Sequence, residues 1–237
     1  MPSKRKAHPT GRALKPTPES DFNTIYFYMP NAMPYGVFCQ WHINTFTIPT
    51  SSLHFLTTSA PTPSTASDIL NSYDPSIAFT CAEQSYMFCK SLFFSSAPTC
   101  TRILATPDPK EQKKLGQQVP NFSEWHWDQV KSRVARVGNW YKFTDSRNGH
   151  MRSVLMGTEK GELVEAARRD RVWGIGYNEE EAERYREFWG ENLLGRCLVD
   201  VRGRIGAVGG KIEEGVIEEW GEWDGEMGDH VAEEEKQ

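Results

Sequence analysis

At 237 residues the chain is long enough for one domain of ordinary size with tails, and its hydrophobic content of 38% is low for that length, so part of it is expected to lie outside a packed core. The net charge of −5 is unevenly spread: residues 1–20 carry five basic residues and one acidic one, residues 211–237 carry eleven acidic and two basic ones, and the stretch between is formally neutral. A neutral middle argues against duplex nucleic-acid binding by the core, which rests on Lys and Arg; with no apolar N-terminal segment and no run of about 18 apolar residues, neither a signal peptide nor a membrane span is expected.

Five cysteines (Cys39, Cys81, Cys89, Cys100, Cys197) in no pairing pattern point to a reducing compartment, cytoplasmic or nuclear. None sits at zinc spacing, so no metal and no cofactor are expected. Cys89 reads as a small buried hydrophobe rather than a nucleophile.

In chain order, residues 1–21 read as a disordered basic tail, Thr24–Tyr28 as a short strand, and Phe38–Thr47 as room for a second. Residues 49–78 are rich in Ser, Thr and Pro without a stable period and read as an insertion loop, inert or forming a rim over a site. Helical character starts at Cys81. Asp108-Pro109-Lys110-Glu111 starts a short helix that Gly116 should end. Trp127, Val130, Val134, Val137 and Tyr141 form one apolar seam on a long helix, a core feature rather than a cofactor box. Arg147–Met156 reads as a helix and Leu163–Ala166 as a strand. Asn178 should cap a charged helix over Glu179–Trp189, and an apolar helix over Asn192–Val201 should stop at Gly203. The tail 209–237, acidic and Trp-containing, reads as mostly disordered, with a composition suited to docking a basic partner. The domain between the tails, 22–208, is thus a single α+β unit, mainly α-helical, with a small β-sheet.

The chemistry concentrates in Cys81–Lys90, which lacks Gly and Pro. Glu83, Tyr86 or Met87, Lys90 and Phe94 share one helix face, so a carboxylate and an amine lie in an apolar stripe. Such charges must be paired, neutralised or used. They read either as an intrahelical pair on a half-exposed face or as a catalytic set. In the second reading a desolvated Lys90 attacks an anomeric carbon and Glu83 moves protons. Asp170 steadies positive charge or a ribose hydroxyl, and Tyr86, Trp173 and Trp125 offer apolar or flat surfaces to base and sugar. Gly174 and Gly176 let backbone N–H groups approach an anion, and Asn192 adds donors at a helix start; a plain turn and a helix cap are the alternative.

Six segments in order give a more specific signal than any one. Tyr35-Gly36-Val37-Phe38-Cys39-Gln40-Trp41, the Glu83–Lys90 helix, Lys142-Phe143 with Leu155-Met156-Gly157-Thr158, Leu163-Val164-Glu165, Asp170-Arg171-Val172-Trp173-Gly174-Ile175-Gly176, and Gly190-Glu191-Asn192-Leu193-Leu194-Gly195 with Leu198–Arg202 together resemble the NADAR (YbiA-like) family from about Thr24 to Ile205. The resemblance implies an N-glycosidase, a hydrolase acting on phosphorylated N-ribosides. It implies as substrate a small molecule, either a ribosylaminopyrimidine phosphate of riboflavin biosynthesis or an ADP-ribosyl compound including ADP-ribosylated guanine of nucleic acid, and no membrane partner. It places Glu83, Lys90, Asp170, Trp173, Gly174, Gly176 and Asn192 at motif positions. A non-catalytic module binding ADP-ribose-like ligands would use the same pocket. Cys39 stands where the family commonly has Ser, and Gln117 where Arg is common.

Overall fold

The computed structural model describes residues 23–208 and 223–227. The expectation for residues 1–21 lies outside them, as does most of that for the acidic tail.

The chain opens with β1 (Thr24–Phe27), whose Ile25 and Phe27 point into the core. A 3-10 turn over Tyr35–Phe38 follows, then β2 (Phe46–Pro49), α1 (His54–Ser59), α2 (Pro63–Asn71) and β3 (Ser76–Phe79). Segment 49–78 is therefore not a loop. β2 and β3 pair antiparallel with Phe46 opposite Phe79, and Leu53, Leu56, Ala66 and Leu70 between them are fully buried. A few well-spaced apolar residues suffice because the Ser and Thr between them fall on exposed faces or bond back to the chain, as Thr57 does to the His54 carbonyl. The segment is anchored on the rest of the domain by Tyr73 against Phe88 (5.2 Å), the Arg133 guanidinium over Phe55 (4.2 Å) and a Ser52–Tyr141 hydroxyl pair (2.6 Å).

Next come α3 (Ala82–Phe93), α4 (Ala97–Leu104), α5 (Pro109–Gln117), α6 (Glu124–Asp128), α7 (Lys131–Thr144) and α8 (Gly149–Met156). Asp108 caps α5 by accepting from the Lys110 N–H at 3.0 Å, as its spacing suggests. The long helix expected from Trp127 is broken into α6 and α7, but the seam survives the break. Trp127, Val130, Val134, Val137 and Tyr141 are all buried.

β4 (Glu162–Glu165) pairs parallel with β1, Ile25 opposite Leu163 and Phe27 opposite Glu165. Two two-stranded sheets thus stand among the helices, in keeping with a single α+β domain of predominantly helical content. The charged helix after Asn178 is shorter than its pattern suggests. α9 (Glu179–Ala182) gives way to 3-10 structure with a non-helical residue at Tyr185, and Asn178 makes no side-chain cap bond. The final α10 (Leu193–Val208) runs straight through Gly203, where no neighbour lies near enough to impose a stop. Its Leu194, Cys197, Leu198, Val201 and Ile205 fill the core at helical spacing. No helix among the described residues is long and apolar enough to cross a membrane.

Part of the acidic tail is ordered, against expectation. Trp223 packs edge-on against Trp140 (5.5 Å) and is 8% exposed. Arg133 donates to the Asp224 carbonyl (2.8 Å) and pairs with Asp224 and Glu226; Arg136 donates to the Gly225 carbonyl (2.9 Å). Composition hides this, since one Trp and two acids matched to two arginines of α7 outweigh the polar average.

Candidate functional site

α3 starts without a side-chain cap on Cys81 and is seeded from its surroundings. The Glu83 N–H donates to the Gln40 carbonyl at 3.0 Å, and the Gln84 amide oxygen accepts from the Thr80 N–H at 2.8 Å while its nitrogen donates to the Ile103 carbonyl. This fixes Glu83 in the first turn and places it beside Trp41, which hydrogen-bonds its carboxylate. Glu83 is 6% exposed, and its Oε1 is enclosed with no partner. Burial pushes this carboxyl up to about 7, against the pull of the Lys113 ammonium and the Trp41 bond; Asp170 raises it further and Lys90 lowers it.

Lys90, two turns on, is half-buried with its Nζ 3.9 Å from the Phe122 ring centroid. Burial lowers its proton affinity below the usual lysine range, opposed by Glu83. Tyr86 lies between them on α3 and is the structural link to the rest of the site. Its hydroxyl accepts from Trp127 Nε1 at 2.8 Å, and its ring meets Trp127 at 5.3 Å and Trp173 at 5.1 Å, both edge-on.

Trp173 is placed by Asp170, whose Oδ1 accepts the N–H groups of both Val172 and Trp173 at 2.9 Å. Asp170 therefore shapes the turn with one oxygen while its charge acts on Glu83 and Glu165. The glycines after Trp173 have packing reasons. A Cβ on Gly174 would lie 2.7 Å from the Glu165 carbonyl, and Gly176 has φ +79 with Arg171 folded over it. The Ile175 N–H donates to the Glu165 carbonyl, so that donor is not part of an anion nest.

Two residues expected to contact a ligand have other surroundings than Trp173. Asn192 bonds the backbone with both ends of its amide: Oδ1 accepts from the Glu165 N–H at 3.0 Å and Nδ2 donates to the Leu163 carbonyl at 2.8 Å. At φ +50 it ties the start of α10 to β4. Trp125 is 70% exposed and its ring meets His126, whereas Trp127, two residues on, is the tryptophan against Tyr86. α6 presents only one of the two to the core, and the apolar seam already marks Trp127 as that one.

Three residues escape the sequence reading of the site. Trp41 and Glu165 lie inside quoted motifs without an assigned role, and Lys113 sits on α5, whose sequence gives only its start and stop signals. Together with Glu83 and Asp170 they form one electrostatic cluster. Glu165 has an enclosed Oε2 without a partner and is pushed up to about 8 by burial, Asp170 and Glu83, with Lys113 opposing. Lys113 Nζ lies 6.0 Å from the Trp41 ring centroid.

All five thiols are free and buried, and burial raises Cys39, Cys100 and Cys197 to about 12 and Cys81 to about 11. Cys89 is raised too and is 1% exposed, as a core residue should be.

Behind the site, the fully buried Lys142 donates to the Cys39 carbonyl at 3.0 Å and so steadies the Gly36–Trp41 segment that delivers Trp41. Burial lowers its amine from 10.5 to about 8. The unfolded chain therefore binds this proton more readily between those values, and the group's contribution to stability rises with pH through that window. In urea melts, Lys142→Met is expected to remove this rise. Relative to the variant, the native protein gains about 1 kcal/mol between pH 7 and pH 9.

Comparison with known proteins agrees with this architecture. The model of the NADAR domain matches residues 26–206. An N-glycosidase of Acanthamoeba polyphaga mimivirus, R617, is 34% identical over 126 residues, covering 52% of this chain and 73% of the viral one. Protein irg-1 of Caenorhabditis elegans is 33% identical over 130 residues, 53% of this chain and 60% of the nematode protein. The chain thus spans less than two thirds of the nematode relative's length. The NMR structure of the E. coli protein YbiA superposes with a TM-score of 0.57 at 17% identity, covering 82% of this chain and 92% of that one, which establishes the shared fold. With matching motifs running in order through nearly the whole described core, the chain belongs to the NADAR domain family.

Proposed function

We propose that the protein is an N-glycosidase that hydrolyses the ribosyl C1–N bond of a phosphorylated N-riboside through Lys90. The observation that supports this most is the enclosed, unpartnered Glu83 Oε1 on the helix that also carries a half-buried lysine of lowered proton affinity. In this reading the neutral Lys90 amine attacks the anomeric carbon, the sugar ring opens to a Schiff base, and water releases the sugar. Glu83 takes the proton shed by the amine, gives it to the ring oxygen as the ring opens, and later takes the one shed by water. In the same reading the charge of Asp170 offsets the cation that develops at the anomeric carbon, and Trp173 with Tyr86 gives the sugar and base apolar surfaces. The viral relative's name, N-glycosidase, fits this reaction class.

The substrates proposed are a ribosylaminopyrimidine phosphate of the riboflavin pathway and ADP-ribosylated guanine, free or flipped from a strand. A module that only binds ADP-ribose would keep the aromatic walls but has no use for two buried carboxyls pushed towards neutrality, which cost stability. The buried thiols suit an intracellular, reducing setting.

The test is a product screen by liquid chromatography on both substrate classes. Release of the free base from one of them is the expected result. ADP-ribose binding by calorimetry, with no base released from either class by folded protein, would replace the hydrolase with a binding module.

A further inference from the structure

We propose that Glu165 is a second catalytic carboxyl of this site, the acid that protonates the departing nitrogen, an assignment that rests on the N-glycosidase reading above. Its backbone is held on every side. The N–H donates to Asn192 Oδ1 (3.0 Å), the carbonyl accepts from the Ala167 (2.9 Å) and Ile175 (3.0 Å) N–H groups, and Phe27 faces it across the parallel pair. Its backbone is thus fixed, while its carboxyl Oε2 is enclosed and has no partner. A buried polar atom without a partner is costly, and a ligand atom would complete it.

The groups around it divide the labour. Glu83 shares α3 with Lys90, interacts with it electrostatically, and takes a hydrogen bond from Trp41; that equips it to receive protons from the amine. Glu165 stands on a different element, at the end of β4, beside Asp170 and the Trp173–Gly174 turn. Two negative neighbours and burial keep a proton on it near neutral pH, the state an acid needs. The step balances. The C1–N bond breaks and its electron pair goes to nitrogen, the Glu165 proton follows, and Lys90 forms the new bond to C1 while Glu83 accepts the amine proton. Glu83 passes that proton to the ring oxygen as the ring C1–O bond opens to the Schiff base; water then adds to C1, one of its protons goes by way of Glu83 to the Lys90 nitrogen, which leaves as the free amine, and the second returns to Glu165. The net change is addition of water across C1–N.

The test compares wild type with Glu165→Gln in single-turnover hydrolysis of whichever of the two substrates is cleaved. Gln keeps the shape and removes the transferable proton. A loss in rate of about 10²- to 10⁴-fold with KM within a few-fold is expected. The wild-type rate should also fall as pH rises above about 8, and that limb should be missing from the residual rate of the variant. The variant should melt no lower than wild type at neutral pH, because Gln is spared the cost of keeping on the folded chain a proton that the unfolded chain sheds above about pH 4.5. An active wild type beside an equally active Glu165→Gln overturns the inference and leaves the N-glycosidase reading intact. A rate loss carried by KM alone, or an unchanged alkaline limb in the variant, overturns it too. Absence of turnover in wild type removes both.

Discussion

Glu83→Gln is expected to lower turnover by about 10²- to 10⁴-fold, the range for losing a positioned proton carrier, and at the same time to make the protein more stable above neutral pH. Both effects come from the same enclosed oxygen. Folding raises this carboxyl from 4.5 to about 7, so the folded chain holds the proton more tightly than the unfolded one. Stability from this group is intact below about pH 4.5 and is lost as pH rises through about 7. Glutamine escapes that loss. The gain for the variant is near zero at acid pH and grows to about 3 kcal/mol at pH 8, an order-of-magnitude figure from the size of the shift. Rate assays together with urea melts at acid and alkaline pH check this. A variant that is less stable than wild type at pH 8, or that turns over at the wild-type rate, contradicts the account.

Replacing Lys90 separates charge from nucleophilicity. Lys90→Arg keeps a cation that can lie over the Phe122 ring and interact with Glu83, but a guanidinium does not form the Schiff base. Its stability should stay within about 1 kcal/mol of wild type, the scale of an exposed cation–π contact, while turnover falls on the order of 10³-fold or more. The acidic limb of the wild-type rate profile should lie below the ordinary lysine range, since the amine reacts only without its proton and burial weakens its hold on it. Measuring kcat against pH in both proteins checks the pair of statements. Full activity in the arginine variant would exclude a covalent role for this residue.

Much of this site is legible in the sequence, because the helix carrying Glu83, Tyr86 and Lys90 is local and free of breakers, and Asp170 and Trp173 share one turn. What is not legible is the cross-chain assignment of hydrogen-bonding capacity. Asn192 stands at a helix start, as a ligand donor would, and its amide also bonds the Leu163 and Glu165 backbone, which its position in the chain does not reveal. Glu165 closes a strand motif that reads as core, and its chemistry follows only from what Asp170, Lys113 and Glu83 do around it. The seam marks Trp127 as core-facing, but that its indole meets Tyr86 while Trp125 stays exposed follows only from packing.

The larger departures have a common cause. Segment 49–78 and residues 223–227 look unstructured by composition, yet a handful of apolar anchors hold each of them. Leu53, Leu56 and Leu70 do so for the first, and Trp223 against Trp140 for the second. Averages over a window dilute such anchors, and their partners lie far away on α3 and α7. Both segments bear on the α7 side of the domain through Phe55, Asp224 and Glu226 at Arg133, so removing the tail would uncover Trp140 rather than trim an inert end.

The covalent step is the claim everything else serves, and borohydride trapping during turnover tests it most directly. With the substrate that is cleaved, reduction should leave one sugar phosphate on the peptide that contains Lys90, and the Lys90→Arg protein should carry none. A sugar fixed instead on Lys113, the other amine acting on Glu83, or no adduct in a sample that is visibly releasing base, would contradict it.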